Sequence, residues 1–319
     1  MPSLFSSESS PRLPPFERLL VLGSYPVASP IHLCISVLAE LASTSAPNTE
    51  SLRSLSAQHH ALIISPSRPK LLAGLRDVQR APTWVRDEAG TGRVMGLARG
   101  VQLFYPATPG ELAALLLSLR TDAHGALDNK MTLAGPPALV VLHEPSSYFL
   151  DGWRDSEWTV SSYLMLVVHV LGTLAFLTSK EQRQASRPAS RCAHPPHHDA
   201  PPDSCPPIRF ALFDSRLHTL KLPVVRVPPP GPFEDTGPER AATSGEGDDA
   251  AKDVLVFVRR YFEWVVTFEP ESDPGSTDTE MAVVRTARLH NEMAVSPDED
   301  LTWKWLERTS QDGVLLEWN

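Results

Sequence analysis

The sequence predicts an α/β fold: a mostly parallel sheet flanked by helices, with antiparallel strands added at the C-terminal end. Three observations point there. Short apolar β-type runs alternate with helical stretches through the first half, the pattern of a parallel sheet covered by helices. The strongest helix start, "TPGELAALLLSLR", follows directly on an apolar run. From Trp264 onward the chain is a succession of strand-like runs separated by turn residues, which suits antiparallel extensions of the sheet.

Taken in order, "RLLVLG" (Arg18 to Gly23) is the first predicted strand. A helix follows from about Pro30 to Ala42, with Ile31, Cys34, Ile35 and Leu38 on one face at helical spacing. "HALIISPS" (His60 to Ser67) and "GVQLFYP" (Gly100 to Pro106) read as the next strands. Thr108 then stands as N-cap, Pro109 at the first helical position and Glu111 as the partner in a capping box, so the chain turns from strand to helix there. "PALVVLHEP" (Pro137 to Pro145) is almost continuously apolar, as a strand buried on both faces must be. A helix over about Ser161 to Leu177 covers it. "IRFALFDSRL" and "LPVVRV" are strand-like, "VLVFVRRYF" suits a short helix, and "EWVVTFEP", "EMAVVRTARLH", "LTWKWLER" and "GVLLEWN" complete the sheet.

The organisation read from this is a disordered arm over residues 1–17 and one domain over residues 18–319. Two stretches, about 179–207 and 228–253, are rich in Pro, Ser, Ala, Asp and Glu and read as flexible insertions because they have almost nothing to bury. With 319 residues and 42% hydrophobic content the remainder can bury a sizeable core. A formal net charge of -9 excludes a general basic field for nucleic acid, so any DNA contact is local or supplied by a partner. Three cysteines make no disulfide framework and suit a reducing compartment. The N-terminus "MPSLFSSESSPRLPPFER" lacks the basic and apolar regions of a secretory signal. The apolar run Tyr163 to Leu177 contains His169 and, at about 15 residues, is shorter than the roughly 20 a membrane span needs. No membrane association is expected.

The stretch "GSYPVASP" stands where a strand–turn–helix phosphate loop would lie. Such a loop has the form G-x-x-x-x-G-K-[ST]: glycines let backbone N–H groups surround the phosphates, lysine neutralises charge, and the hydroxyl holds Mg²⁺. Here Gly23 and Ser24 open the loop, but Ala28, Ser29 and Pro30 occupy the positions of the second glycine, the lysine and the hydroxyl. Pro26 and Pro30 also remove two N–H donors. What survives is a helix start, with Ser29 as cap and Pro30 in the first turn. At the end of the later strand, His143 and Glu144 follow "LVVL", where an aspartate would hold the metal's water shell. Glu144 could act on a water, but no lysine or metal-fixing hydroxyl accompanies it. Gly23, Ser24, Ser29, Pro30, His143 and Glu144 therefore read as vestigial phosphate-loop and metal-strand positions.

The order of these segments resembles the RecA-type ATPase core, and within it the small RecA-like subunit that pairs with a SWIM-domain zinc protein in Shu-type complexes. "LLVLGSYPVASPIHLCISVLAEL", "VQLFYPATPGELAALLLSL", "PALVVLHEPSSYFL", "VSSYLMLVVHVLGTLAFL" and "RRYFEWVVTFEP" carry the likeness, which skips both insertions. The resemblance implies a nuclear mediator of homologous recombination that assists the RecA-type recombinase on single-stranded DNA in double-strand-break repair. The departures at Ser29, Pro30 and His143 carry over no catalytic role, so no enzyme activity and no cofactor are expected, residual ATP binding being the alternative. The loop that approaches DNA in RecA-type proteins would fall near Pro228 to Asp253. Between Gly231 and Lys252 this chain has six acidic and two basic residues, which argues against phosphate contact there. Arg259, Arg260, Arg285 and Arg288 are the DNA-contact candidates, the partner's surface being the other route. The rival reading is a RecA-like subunit of an Elongator-type tRNA-modification complex, a family that also keeps the fold without phosphate-loop residues.

Cys192 to Cys205 gathers two cysteines and three histidines, yet the spacings match no standard zinc site and no metal is expected. His59 and His60 read as surface residues. Trp264, Trp303, Trp305 and Trp318 fall on the C-terminal strands, where packing is the plainer use and base stacking the alternative.

Overall fold

The computed structural model describes residues 2–5, 10–44, 59–76, 92–121, 132–133, 135–150, 158–185, 207–224, 251–269, 282–293, 301–310 and 313–318. Its main sheet has nine strands: β1 (Arg18–Gly23), β2 (Ala61–Ile64), β3 (Val101–Phe104), β4 (Leu139–His143), β5 (Arg209–Asp214), β6 (Trp264–Phe268), β7 (Ala282–Asn291), β8 (Leu301–Ser310) and β9 (Gly313–Trp318). Their order across the sheet is β9-β8-β7-β6-β1-β5-β4-β2-β3. Strands β6 through β3 in that order are mutually parallel, and β7, β8 and β9 each run antiparallel to the strand before. The expected α/β class with antiparallel C-terminal strands is the one observed.

Strand alternation divides the interior into two cores. Leu19 and Val21 of β1 face one side with Ala61, Ile63, Leu139, Val141, Ala211 and Phe213. Leu20 and Leu22 face the other with Leu62, Ile64, Val140, Leu142, Phe210 and Leu212. Both faces of the central strands are apolar because both are covered. The first side is closed by α1 (Ser29–Thr44), through Leu33, Cys34, Val37 and Leu38. The second is closed by α4 (Pro109–Ser118), α6 (Val160–Ala185) and α7 (Val254–Val258). Shorter helices α2 (Arg68–Arg76), α3 (Gly92–Ala98) and α5 (Ser147–Leu150) complete the set.

The start of α4 is built as its sequence demands. The Thr108 hydroxyl accepts from the Glu111 N–H at 3.1 Å, while the Glu111 carboxylate accepts from Ala107 N–H at 2.7 Å, one residue earlier than the usual box. Helix α1 starts differently from expectation. Ser29 is buried but its hydroxyl has no partner among the described residues; a backbone turn, Ser29 N–H to the Pro26 carbonyl at 2.8 Å, sets the first turn instead.

Three expectations are corrected. The described residues of the arm, 2–5 and 10–17, join the core: Leu4, Phe5, Leu13 and Phe16 are buried. The Phe5 ring lies 6.0, 5.3 and 4.5 Å from the rings of Phe268, Trp305 and Trp318. Each such aromatic contributes on the order of 1.5–3 kcal/mol by burial, enough to fix a Ser- and Pro-rich segment. The stretch read as an insertion from residue 179 is helical to Ala185, because "KEQRQA" consists of good helix formers. At the other insertion's end, Lys252–Asp253 pairs with Lys221–Leu222, and Asp253 caps α7 by accepting from Leu255 N–H at 2.9 Å. Residues 186–206 and 228–250 of these stretches, Cys192 to Cys205 among them, lie outside the described residues.

The tryptophans pack as the plainer reading expected. Trp305 is fully buried, and Trp264, Trp303 and Trp318 are partly buried against the same core. His60, expected at the surface, is instead 7% exposed, and burial lowers its pKa to about 4. His60 precedes β2 directly, so it is carried inward with the strand.

Candidate functional site

Ligands in open α/β sheets bind outside the carboxyl ends of the strands. In this chain that edge is formed by the loop after β1, the end of β2 at Ser65, the end of β4 at His143 and Glu144, and the end of β5 at Asp214 and Ser215. All the vestigial positions named from sequence meet there or beside it.

Gly23 ends β1 with φ of +81°, and a Cβ at this position would sit 2.1 Å from the Phe268 carbonyl oxygen. Glycine is therefore required by the strand pairing itself, with no phosphate needed to explain it. Ser24 is exposed. The next residue, Tyr25, was not singled out by sequence and is the centre of the site. Its side chain turns inward, with ring centroids 5.2 Å from Phe213, 6.2 Å from His143 and 6.3 Å from Phe268. Its hydroxyl donates to the Glu144 carboxylate. Burial, and next the Glu144 charge, hold the phenol well above its ordinary pKa, so it remains a donor at every physiological pH.

Glu144 is held from three sides. Its backbone adopts φ of 53°, a left-handed conformation costing a non-glycine residue on the order of 1–2 kcal/mol. Its N–H donates to the Phe213 carbonyl at 2.7 Å. One carboxylate oxygen accepts from Tyr25 and from Ser215 N–H at 3.0 Å, and the other accepts from the Ser215 hydroxyl at 2.9 Å. The carboxylate thus ties the β1 loop to the end of β5. Its neighbour His143 is buried and shares a 3.1 Å hydrogen bond between Nδ1 and the Ser65 hydroxyl; burial lowers its pKa, against the pull of Glu144, so the ring is neutral.

Asp214, also missed from sequence, is fully buried beneath this layer. It accepts from Ser146 N–H at 2.9 Å, the Ser146 hydroxyl at 2.6 Å, the Tyr163 hydroxyl at 3.0 Å and Arg216 N–H at 3.1 Å. Burial first, then the Glu144 charge, raises its pKa to about 7 despite the donors. The only sequence signal was an aspartate closing the apolar run "RFALFD", a position equivalent to the end of any parallel strand.

What remains open is a crevice of about 260 Å³ beside Tyr25, lined by Ser65, Ser67, Lys70, Glu144, Ser215 and Arg216. Small-molecule sites are usually about 300–1,000 Å³, so the crevice falls just below that range. The Ser65–His143 pair has the spacing of a nucleophile and its base, but Ser65 is 2% exposed, which leaves its hydroxyl out of a substrate's reach. Among the described residues no cluster of three or more His, Cys, Asp or Glu could hold a metal ion.

The four arginines proposed for DNA contact do not form one patch. Arg259 lies 3.7 Å from Glu292, Arg285 pairs with Glu307, and Arg288 lies 2.7 Å from Glu269. By alternation along β7, Arg285 shares the face of buried Ala287 and Leu289, and Arg288 projects from the opposite face. Arg260 is exposed on the turn before β6.

Fold and site together define an α/β domain with a mostly parallel multi-strand sheet, compatible with a RecA-like or Rossmann-type domain, whose ligand edge is closed by its own side chains. No protein-family model matches the chain, and no curated protein matches it.

Proposed function

We propose that this chain is a non-catalytic RecA-like subunit of a Shu-type recombination-mediator complex, supporting homologous recombination repair of DNA double-strand breaks in the nucleus. The observation that carries the non-catalytic part is Tyr25: its ring fills the loop after β1 and its hydroxyl is bonded to Glu144, where a working ATPase would hold phosphate and metal. A sheet closed in this way serves as a rigid scaffold. The pairing of Arg259, Arg285 and Arg288 with carboxylates favours DNA contact through the complex over direct contact by this chain. The partners of this reading are a SWIM-domain zinc protein and the RecA-type recombinase machinery.

The test is affinity purification of the full chain from its own cells, followed by mass spectrometry. Recovery of a SWIM-domain protein or a recombination protein is the expected result. Subunits of a tRNA-modification complex in the eluate would move the assignment to the Elongator-type rival, and recovery of neither would overturn both.

A further inference from the structure

The crevice beside Tyr25 is lined by donors that the chain leaves unspent. His143 is only 7% exposed, yet its ring lines this space. The bond between Nδ1 and the Ser65 hydroxyl is the ring's only hydrogen bond among the described residues. Burial fixes the direction of that bond. Ser65 is buried too, and its hydroxyl has no second partner among the described residues. Were the ring the donor, the hydroxyl proton would be left unbonded in the interior, which is costly. Ser65 therefore donates to Nδ1, and the proton of the neutral ring sits on Nε2. That N–H is left to the crevice.

Further donors stand around it. The Ser67 hydroxyl accepts from Lys70 N–H at 3.3 Å, which leaves its own proton to give. The Lys70 ammonium and the Arg216 guanidinium also line the space. Both interact elsewhere in the chain, but each carries several N–H donors, so a contact elsewhere does not exhaust it. The acceptors, by contrast, are engaged. Glu144 is the one carboxylate in the lining, and it already receives Tyr25 and both the N–H and the hydroxyl of Ser215. Two cations and a neutral imidazole thus face one satisfied carboxylate.

We infer that this crevice holds one small free oxyanion, of the class of inorganic phosphate, received by His143 Nε2–H, the Ser67 hydroxyl, Lys70 and Arg216. Unspent donors under a net positive charge complement such a group, and charge-assisted bonds to it are the strong ones. The volume of about 260 Å³ keeps the ligand small. The site is distinct from the phosphate-loop position: Gly23, Ser24, Ser29 and Pro30 do not line it. It is built instead by the ends of β2, β4 and β5 and the first turn of α2. The inference is independent of the complex proposed above.

Calorimetric titration of the purified full chain with sodium phosphate, in a phosphate-free buffer at about pH 7 with ionic strength held by sodium chloride, tests it. The expected result is one saturable site with a Kd of about 1 mM or tighter, weakened at least about tenfold by Lys70→Gln and by Arg216→Gln. Neither side chain is buried, so both variants should keep the fold. Nitrogen NMR of protein labelled with ¹⁵N-histidine is the second readout: His143 should carry its proton on Nε2, and that N–H signal should move on saturation with phosphate. No saturable heat up to about 10 mM phosphate, an adventitious ion only, seen as an affinity unmoved by both substitutions, or a His143 proton on Nδ1 would each overturn the inference.

Discussion

Removing the Tyr25 hydroxyl tests whether its bond to Glu144 holds the loop after β1 against the end of β5. In Tyr25→Phe the ring keeps its contacts with Phe213 and His143, and only the donor to Glu144 is lost. A hydrogen bond to a charged group contributes about 1.5–3 kcal/mol. Glu144 retains two donors from Ser215, at 3.0 and 2.9 Å, so its charge is not orphaned and the lower figure, about 1.5 kcal/mol, applies. For a domain of this size that lowers the melting temperature by about 3–6 °C. Glu144→Gln keeps the same left-handed backbone cost, removes the charge and turns one acceptor oxygen into a donor, and with Tyr25→Phe it forms a double-mutant cycle. Urea unfolding of the four proteins at neutral pH should give a coupling of at least about 1 kcal/mol. Additivity within about 0.5 kcal/mol would refute the claim that Tyr25 and Glu144 close the site together.

Other outcomes follow from the same coordinates. Gly23→Ala places a Cβ 2.1 Å from the Phe268 carbonyl at positive φ and should cost about 3 kcal/mol or more, read as a lowered urea midpoint. Phe5→Ala should cost about 3 kcal/mol despite lying near the N-terminus, because its ring packs on Trp305 and Trp318; an unchanged midpoint would restore the disordered-arm reading. The fold favours neutral Asp214, whose pKa is raised to about 7. Its contribution is therefore complete below the ordinary carboxylate pKa and is lost as pH rises through about 7. Unfolding free energies at about pH 5, 6 and 8 should show this falling component in the parent and not in Asp214→Asn.

The fold was legible because its signals are local and repeated. Alternating apolar runs marked β1, β2, β4 and β5, and the Thr108–Glu111 spacing marked α4. The N-terminal segment was not legible because four apolar residues scattered among Ser and Pro show no period, and tertiary contacts, of Phe5 with Phe268, Trp305 and Trp318 and of Ser3 with Ser36, order them. The extension of α6 past residue 179 was missed because polarity was taken for disorder, whereas "KEQRQA" is polar and helix-forming at once.

The site was half legible for a comparable reason. The missing lysine and hydroxyl could be read directly from "GSYPVASP", and Glu144 was flagged by its place after an apolar strand. That Tyr25 packs on Phe213 and bonds Glu144, and that Asp214 lies beneath them, depends on strands brought side by side by the sheet order. Spacing along the chain contains no trace of that adjacency. The arginines show the same effect in reverse: near one another in sequence, Arg285 and Arg288 are separated by strand alternation, and Arg259, Arg285 and Arg288 pair with Glu292, Glu307 and Glu269.

The central claim, that the ligand edge is occupied by the protein's own side chains and is not catalytic, is tested most directly by calorimetric titration of the purified full chain with ATP and Mg²⁺. The expected result is no saturable heat up to about 1 mM nucleotide, an affinity weaker than about 4 kcal/mol. One-to-one binding in the micromolar range, abolished by Glu144→Ala, would contradict it.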